Sequence, residues 1–355
     1  MVEEKSGKDI KKILVVILAG LGDLVMSSAA VRSLKNKFPD CEMDFLVFAQ
    51  NRELAQNCPY IREVFVLNRQ PSFKGLAENM GTFLRLRKRR FDLAVNLYNI
   101  FSSLGGLRMF FLFVIIKARQ SLGRNTDGKG FFYNLKINDS MYFKKHQVEY
   151  MLDVVGVLGS DISDKRLEVW YDKSKEGRIR EFLRSQGISE NDIIIGINPG
   201  GSRPSRRWPV EKFAALIKLI LQRYPAKIVI TGTRGELPLA EKTKGQAGSN
   251  VVISSGMLGL SELIILISRC KVYITNDTGP MHIANVLGVP VIALVGGGPE
   301  ATFPFIKEKI TLVKSEVACS PCYSHTCNKG VLCLNAVEPA MAMEALDKII
   351  GPVFS

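Results

Sequence analysis

The feature that most constrains the fold is an alternation between short apolar runs and longer segments with helical periodicity. Residues 12–18 form an apolar run, which is followed by a glycine turn and by helical spacing of apolar residues over 23–38. Further runs at 43–48, 63–67 and 93–97 continue the alternation. Runs that are apolar on both faces are typical of parallel strands covered by helices. The first half of the chain therefore predicts a doubly wound parallel sheet.

The same alternation starts again after a polar stretch near residue 175, which indicates a second domain. A length of 355 residues suits two cores of ordinary size. We predict an α/β fold of two Rossmann-like domains facing across a cleft, over 1–175 and 176–340, with a C-terminal helix over 341–355 that packs back on the N-terminal domain. The predicted strands of the second set are 193–197, 227–231, 272–275 and 291–295, and its helices are 209–224, 261–268 and 280–287.

The alternation is lost between residues 101 and 145, which we interpret as loops and short strands near a site. Within it, the apolar stretch 104–116 is too short to span a membrane and carries Arg108. Two interpretations of this stretch are open: a helix buried in the core, or an amphipathic helix lying at a membrane interface.

The chain is basic, with a formal net charge of +14. The excess is shared between the halves, since residues 1–170 carry 26 − 18 = +8 and residues 171–355 carry 22 − 16 = +6. Such a field favours phosphorylated small molecules or anionic lipid, whereas the absence of interleaved aromatics disfavours nucleic acid. The basic run 85–90 predicts a solvated helix end or a lipid-binding patch. The polar start predicts no signal peptide, and hence a cytoplasmic protein; a free protein and one in peripheral contact with the inner membrane face are the open alternatives.

A glycine turn ends the first predicted strand, with the sequence Ala-Gly-Leu-Gly-Asp over residues 19–23. A dinucleotide-binding fingerprint would need a third glycine where Val25 stands, so that fingerprint fails. Gly22 and Asp23 instead place a carboxylate at the start of a helix. Asp23 is therefore a candidate for a helix cap, for a catalytic base, or for both.

A second polar segment, over residues 198–209, follows the first strand of the second set. Its glycines and hydroxyls offer hydrogen-bond donors, its arginines offer positive charge, and a helix begins near Pro209. This composition suits a phosphate or diphosphate, although a solvated loop could contain the same residues. The candidate binding residues are Gly200, Gly201, Ser202, Arg203, Arg206 and Arg207.

A third segment, over residues 275–282, also joins a buried strand to a helix. Its sequence is Thr-Asn-Asp-Thr-Gly-Pro-Met-His, and Pro280 is suited to the first turn of a helix. We expect the N–H groups of Thr278, Gly279 and Met281 to point at an anion. His282 lies one turn into this helix, as a packed histidine or as a functional one.

Together, these segments make the chain resemble glycosyltransferase family 9, the heptosyltransferases of lipopolysaccharide core assembly. The resemblance rests on residues 21–23, 198–209 and 276–282, in the family's order and spacing. It implies a GT-B fold with an acceptor-binding N-terminal domain and a nucleotide-sugar-binding C-terminal domain. It also implies inverting transfer, without a metal or other cofactor, from an ADP-heptose-like donor to a lipopolysaccharide-core or other lipid-linked acceptor.

The resemblance also implies roles for individual residues. Asp23 would remove the proton of the acceptor hydroxyl, and Arg206, at a position where the family often has Lys, would neutralise the leaving diphosphate. Asp277 would contact the donor sugar, and His282 would support its loop or the phosphate. The remaining predicted donor-binding residues are Gly22, Gly200, Gly201, Ser202, Arg207, Thr278, Gly279 and Met281, of which Thr278 and Gly279 would act through backbone N–H groups.

Four cysteines are clustered near the C-terminus, in a Cys-x-x-Cys pair followed by His325 and two further cysteines: Cys319, Cys322, Cys327 and Cys333. Packed thiols, a zinc site and disulfides are the open alternatives. Resemblance to some family members makes this segment a structural element. For the whole chain, the competing functions are a nicotinamide-dependent oxidoreductase and a non-catalytic nucleotide-sugar-binding protein of envelope assembly.

Overall fold

The structure is a computed structural model, which describes residues 10–69, 73–140, 144–320, 322 and 326–354. The chain divides into two compact units, residues 1–170 and 171–355. Each unit holds a six-stranded parallel sheet with helices. The predicted α/β class and the two Rossmann-like sheets are thus confirmed, and the boundary between the units lies five residues before the predicted one.

The N-terminal unit contains one sheet of order β3-β2-β1-β4-β5-β6. Its strands are β1 (Lys12–Ile17), β2 (Glu42–Phe48), β3 (Glu63–Leu67), β4 (Leu93–Asn96), β5 (Gln120–Thr126) and β6 (Leu135–Asp139). Its helices are α1 (Leu21–Met26), α2 (Ser28–Lys37), α3 (Arg52–Gln56), α4 (Phe73–Arg89), α5 (Ser103–Ile116) and α6 (Gln147–Gly156).

The C-terminal unit repeats this arrangement in the order β12-β11-β10-β7-β8-β9. Its strands are β7 (Ile193–Asn198), β8 (Ala226–Ile230), β9 (Val251–Ile253), β10 (Val272–Asn276), β11 (Val291–Leu294) and β12 (Ile310–Val313). Its helices are α7 (Glu176–Ser185), α8 (Val210–Arg223), α9 (Leu237–Ala247), α10 (Leu260–Ser268), α11 (Gly279–Val286), α12 (Leu332–Asn335) and α13 (Pro339–Phe354).

The strand order is the same in the two sheets, and it creates a reversal point in each. In the first sheet, β1 pairs with β2 on one side and with β4 on the other. In the second sheet, β7 pairs with β8 on one side and with β10 on the other. Ligands of doubly wound sheets bind beyond the carboxyl ends of the strands at such a point. A ligand site is therefore expected in the segments that follow β1, β4, β7 and β10.

The helix predicted over residues 23–38 is interrupted at Ser27. The structure has a short α1 that ends at Met26 and a separate α2 that begins at Ser28, and the Ser27 N–H donates to the carbonyls of Asp23 and Leu24. Ser27 is fully buried, and its hydroxyl donates to the same Leu24 carbonyl at 2.7 Å. Asp23 therefore lies on a short helix of its own.

The C-terminal helix packs differently from the prediction. Ala342, Leu346 and Ile350 follow one another at one-turn spacing and are fully buried in the core of the C-terminal unit. The neighbouring helix α8 supplies the matching apolar face, and the Tyr224 hydroxyl donates to Asp347 at 2.7 Å. Helix α13 is thus part of the C-terminal unit and does not match the expected packing against the N-terminal domain.

The region in which the sequence alternation is lost contains β5, β6 and the helix α5. Helix α5 coincides with the predicted apolar stretch, and one of its faces is buried. Its opposite face is exposed, so the interpretation as a fully buried helix is wrong. Among the described residues, no helix combines the length and apolar character needed to cross a membrane.

Candidate functional site

Asp23 lies at the third position of α1, directly beyond the carboxyl end of β1. Its carboxylate Oδ2 accepts the N–H of Gly20 at 2.9 Å, so the residue does cap the turn. The side chain is half-buried, while Gly22 is buried beside it. The short helix thus fixes the direction of this carboxylate at the reversal point of the first sheet.

Asn51, which was not predicted from the sequence, holds the same turn through its side chain. This side chain is fully buried after β2, and its Nδ2 donates to the carbonyl of Ala19 at 3.0 Å. A buried amide that ties down the turn restricts the position of α1. Its signal in the sequence is a polar residue soon after the carboxyl end of a strand that neighbours β1.

The second and third polar segments meet at the reversal point of the C-terminal sheet. Asn198 at the end of β7 is in register with Thr275 on β10, so the loops that follow the two strands start side by side. Asn276 joins them: its Nδ2 donates to the carbonyls of Pro199 and Gly200 at 3.0 and 2.9 Å. Its Oδ1 accepts the N–H of Trp208 at 2.9 Å. One buried side chain therefore fixes both loops.

Arg206 and Asp277 form an ion pair in this arrangement, with Nη1 and Oδ2 2.5 Å apart. The Asp277 side chain is 9% exposed and that of Arg206 is 29% exposed. Burial raises the pKa of the Asp277 carboxyl, and the charges of Arg206 and Arg203 oppose that rise. A guanidinium has five N–H donors, so Arg206 retains donors for an anion while it holds this carboxylate.

The two loop glycines do not offer their N–H groups to a ligand, contrary to the sequence analysis. The Gly200 N–H donates to Asn198 Oδ1 at 2.9 Å, and the Gly201 N–H donates to Glu236 Oε1 at 2.6 Å. A Cβ atom on Gly200 would lie 2.3 Å from that same Oε1, so any other residue there would have to displace the Glu236 carboxylate. The Nε of Arg207 donates to the carbonyl of Gly201 at 2.7 Å and so supports the loop.

Glu236 was not predicted, although it lies in the same kind of place as the predicted residues. It follows β8, which neighbours β7, in the glycine-containing turn 231–236. Its Oε2 also accepts the N–H of Thr233 at 2.8 Å. A polar turn at the carboxyl end of a strand is the signal that could have identified it. Ser202, by contrast, is exposed at the surface of the loop.

In the turn before α11, fewer backbone N–H groups are candidates for binding an anion than the sequence predicts. Thr278 is the N-cap residue, and Pro280 lies in the first turn as expected. The Met281 N–H donates to the Thr278 carbonyl at 3.1 Å, and the Met281 side chain is fully buried. Met281 is therefore a packing residue, which leaves the amides of Thr278 and Gly279 as the helix-end donors to consider. His282 is buried as well.

The C-terminal cysteines are free thiols: Cys319, Cys322, Cys327 and Cys333. In the part of the chain that the structure describes, no group of three or more Cys, His, Asp or Glu side chains could hold a metal ion. His325 lies outside the described residues. The cysteine segment packs on the loop after β11, where the Cys322 N–H donates to the Gly297 carbonyl. A Cβ on Gly298 in that loop would lie 3.4 Å from Asp277 Oδ2, so this loop borders the ion pair.

Two doubly wound units, each with a polar site at its reversal point, are the architecture of GT-B glycosyltransferases. Residues 82–332 match glycosyltransferase family 9 (heptosyltransferase). The chain belongs to this family and is an enzyme that transfers a sugar. The predicted resemblance is thereby confirmed, and the oxidoreductase alternative is excluded.

Individual relatives agree with this assignment. The chain is 27% identical over 319 residues to lipopolysaccharide heptosyltransferase 2 of Salmonella typhimurium, covering 85% of this chain and 88% of that protein. Among solved structures, it is similar to a family 9 glycosyl transferase from Veillonella parvula, with a TM-score of 0.77, 23% identity, and coverage of 98% and 97%. It is also similar to E. coli heptosyltransferase WaaC with ADP, with a TM-score of 0.69, 14% identity, and coverage of 95% and 99%.

Proposed function

We propose that this enzyme transfers a heptose from an ADP-heptose donor to a lipopolysaccharide-core acceptor. The observation that carries the proposal is the Arg206–Asp277 pair at the reversal point of the C-terminal sheet, in a family 9 chain. The relative named as a lipopolysaccharide heptosyltransferase supports the sugar and the acceptor. The ADP bound in the WaaC neighbour supports the nucleotide.

The proposed reaction is a single displacement with inversion at the anomeric carbon. The acceptor hydroxyl gives its proton to the Asp23 carboxylate, and its oxygen forms a bond to the anomeric carbon of the heptose. The bond between that carbon and the diphosphate oxygen breaks, and ADP leaves with the electron pair. Arg206 binds the charge that develops on the diphosphate. This chemistry needs no metal, because the guanidinium supplies the positive charge.

The donor-binding group we propose differs from the sequence-based set. Arg203, Arg206, Ser202 and the amides of Thr278 and Gly279 would bind the diphosphate. The glycines of the 198–208 loop and Arg207 would shape the loop, because their polar groups are bonded within it. Asp277 would orient Arg206 as well as contact the donor sugar. We propose supporting roles for the buried residues Gly22 and His282.

The first test is Asp23→Asn, assayed with ADP-heptose and a soluble, delipidated core oligosaccharide. We expect kcat to fall by about 10²–10⁴-fold, the contribution of a positioned general base. The affinity for ADP, measured by calorimetry, should not change. Asp40→Asn is the matched control, since Asp40 is an exposed carboxylate of the same unit. Wild-type turnover in Asp23→Asn would refute the assigned base and would favour a non-catalytic binding role for this turn.

Separate measurements test the other parts of the mechanism. Nuclear magnetic resonance of the product should show the anomeric configuration opposite to that of the donor, and a chelator should leave kcat unchanged. Loss of activity in chelator that returns with a divalent cation would contradict metal-independent transfer. In a thermal-shift screen, ADP at a hundred times its Kd should stabilise the folded enzyme by about 2.7 kcal/mol, ahead of UDP and GDP at equal concentration.

We further propose that the enzyme works at the cytoplasmic face of a membrane, because its acceptor would be anchored in lipid.

A further inference from the structure

Helix α5 presents an apolar stripe to solvent. The stripe consists of four side chains that are 58%, 48%, 57% and 52% exposed: Leu104, Leu107, Phe111 and Val114. At 3.6 residues per turn, these positions fall within about 80° of the helix circumference. We call them the α5 stripe. Large apolar side chains gathered on one exposed face indicate a surface that contacts something other than water.

The other face of α5 already has its partners in the core. Leu112, Phe113 and Ile116 are buried in the cluster that covers one face of the N-terminal sheet. Arg108 is the only charged residue of the helix. A helix that packs on a core with one face and faces water with the other is ordinarily polar on the water side. Because α5 is apolar on both, packing within its own unit does not account for the stripe.

Helix α4 extends this surface with three exposed residues at one-turn spacing, Leu76, Met80 and Leu84. Arg87 lies 11 and 7 positions after Leu76 and Met80 and so falls on the same face of the helix. Its Nη1 donates to the carbonyl of Val114 in α5 at 3.2 Å. The apolar face of α4 is therefore adjacent to the α5 stripe.

The segment around these helices is strongly basic. Between Leu84 and Gln120 there are eight Lys or Arg residues and a single acid, Asp92. Arg85 and Arg89 form ion pairs with acidic residues of the sheet. Among the residues that the structure describes, six exposed cations of the segment form no ion pair: Arg87, Lys88, Arg90, Arg108, Lys117 and Arg119. Positive charge thus borders the apolar surface.

We propose that the α4–α5 surface docks on an anionic lipid bilayer, with the α5 stripe inserted among the acyl chains. Apolar residues flanked by Lys and Arg are the features by which a helix lies in a membrane interface. A second copy of this chain fits less well, because self-association would bring the same cations together. The assignment rests on the proposed function, since a lipid-anchored acceptor requires the enzyme at a membrane.

The test is flotation of the full chain with vesicles that contain no acceptor. Vesicles of equal parts phosphatidylglycerol and phosphatidylcholine should bind the wild type, and vesicles of phosphatidylcholine alone should bind it far less. Leu107→Ser with Phe111→Ser should lower binding at least about tenfold, from the loss of two inserted side chains. Arg108→Glu should lower binding by about fivefold for each unit of charge and should weaken its salt dependence.

Matched control variants lie in the C-terminal unit. Met257 is 56% exposed and Leu219 is 38% exposed, so Met257→Ser with Leu219→Ser removes two exposed apolar side chains elsewhere. Lys218→Glu reverses an exposed charge on α8. These variants should bind vesicles like the wild type. Every variant is first required to retain the wild-type Tm and ADP affinity, so that loss of folding is not read as loss of docking.

Three results would overturn the proposal. One is a wild type that ignores anionic vesicles, and another is a stripe variant that still binds them. The third is a wild-type dimer, seen in sedimentation and dissociated by the stripe substitutions, because the occupant would then be a second copy. Transfer to the delipidated acceptor is measured in parallel. If that transfer persists in the stripe variant while vesicle binding is lost, docking and catalysis are separated; if transfer is absent in the wild type, only the proposed function fails.

Discussion

The ion pair between Arg206 and Asp277 predicts an asymmetric effect on stability. Arg206→Ala leaves a carboxylate that is only 9% exposed without its nearest cation. Breaking a buried pair in this way costs about 3 kcal/mol of the free energy of unfolding. For a unit of this size, the loss corresponds to a fall in Tm of roughly 6–12 °C. Asp277→Asn should cost only about 1 kcal/mol, because the guanidinium left behind is partly solvated.

The stability lost in Arg206→Ala should depend on pH. Burial raises the pKa of Asp277 in the folded state, so the folded protein binds this proton more readily than the unfolded chain does. The stabilisation that comes from binding this proton is fully present below the pKa of Asp277 in the unfolded chain. It is lost as the pH rises through the pKa of Asp277 in the folded protein. Removing Arg206 removes the main charge that opposes the rise. The deficit of Arg206→Ala should therefore shrink when the pH is lowered from neutral to mildly acidic.

Thermal unfolding followed by calorimetry at the two pH values measures both effects. Arg223→Ala is the matched control, because Arg223 pairs with Asp347 in the same unit while 59% and 26% of the two side chains are exposed. An exposed pair of this kind contributes about 0–1 kcal/mol. The reasoning fails if the two alanine variants lose equal stability, or if the deficit of Arg206→Ala stays constant with pH.

Four more substitution and labelling experiments test the described contacts. Gly200→Ala should lower ADP affinity at least about tenfold, because its Cβ would displace the Glu236 carboxylate. Gly245 in α9 has open space around it, so Gly245→Ala should raise the free energy of unfolding by about 1 kcal/mol in chemical denaturation. Peptide mass spectrometry after brief maleimide treatment should find exposed Cys327 labelled and Cys270 protected, since burial raises the pKa of Cys270 to about 12; equal labelling would contradict this. Asn51→Ala should lower kcat more than it changes ADP affinity, and an effect on affinity alone would argue against its hold on the Asp23 turn.

Most of the strands were predictable because a parallel strand covered on both faces is apolar throughout. Strand β5 was missed because its sequence, Gln-Ser-Leu-Gly-Arg-Asn-Thr, contains a single large apolar residue. Arg124 can be buried in this strand because its Nε donates to Asp139 of β6 at 2.9 Å and its guanidinium stacks 3.7 Å from the Tyr150 ring centroid. Both partners are distant in sequence, so local pattern gives no sign of them.

The positions of the candidate site residues were predictable from the sequence, but their hydrogen-bond partners were not. Asp23, Arg206 and Asp277 follow strands that flank the reversal points, and the order of apolar runs predicts that placement. The hydrogen bonds of the loop N–H groups were not predictable, because Glu236 reaches Gly201 from the turn after a different strand, 35 positions away. Composition alone suggested free donors, but the Asn198 amide oxygen and the Glu236 carboxylate already accept the two glycine N–H groups.

The hydrogen bonds of Asn276 have a mechanical consequence. This one side-chain amide fixes three backbone groups to the turn that leads into α11. They are the carbonyls of Pro199 and Gly200, 77 and 76 positions earlier, and the N–H of Trp208, 68 positions earlier. Any hinge movement of the arginine-bearing loop must therefore carry that turn with it, or break three bonds at once. Paired substitutions, one in the loop and one in the turn, should consequently be tolerated more readily than single ones. A comparison of many homologous sequences would reveal this pattern as co-variation.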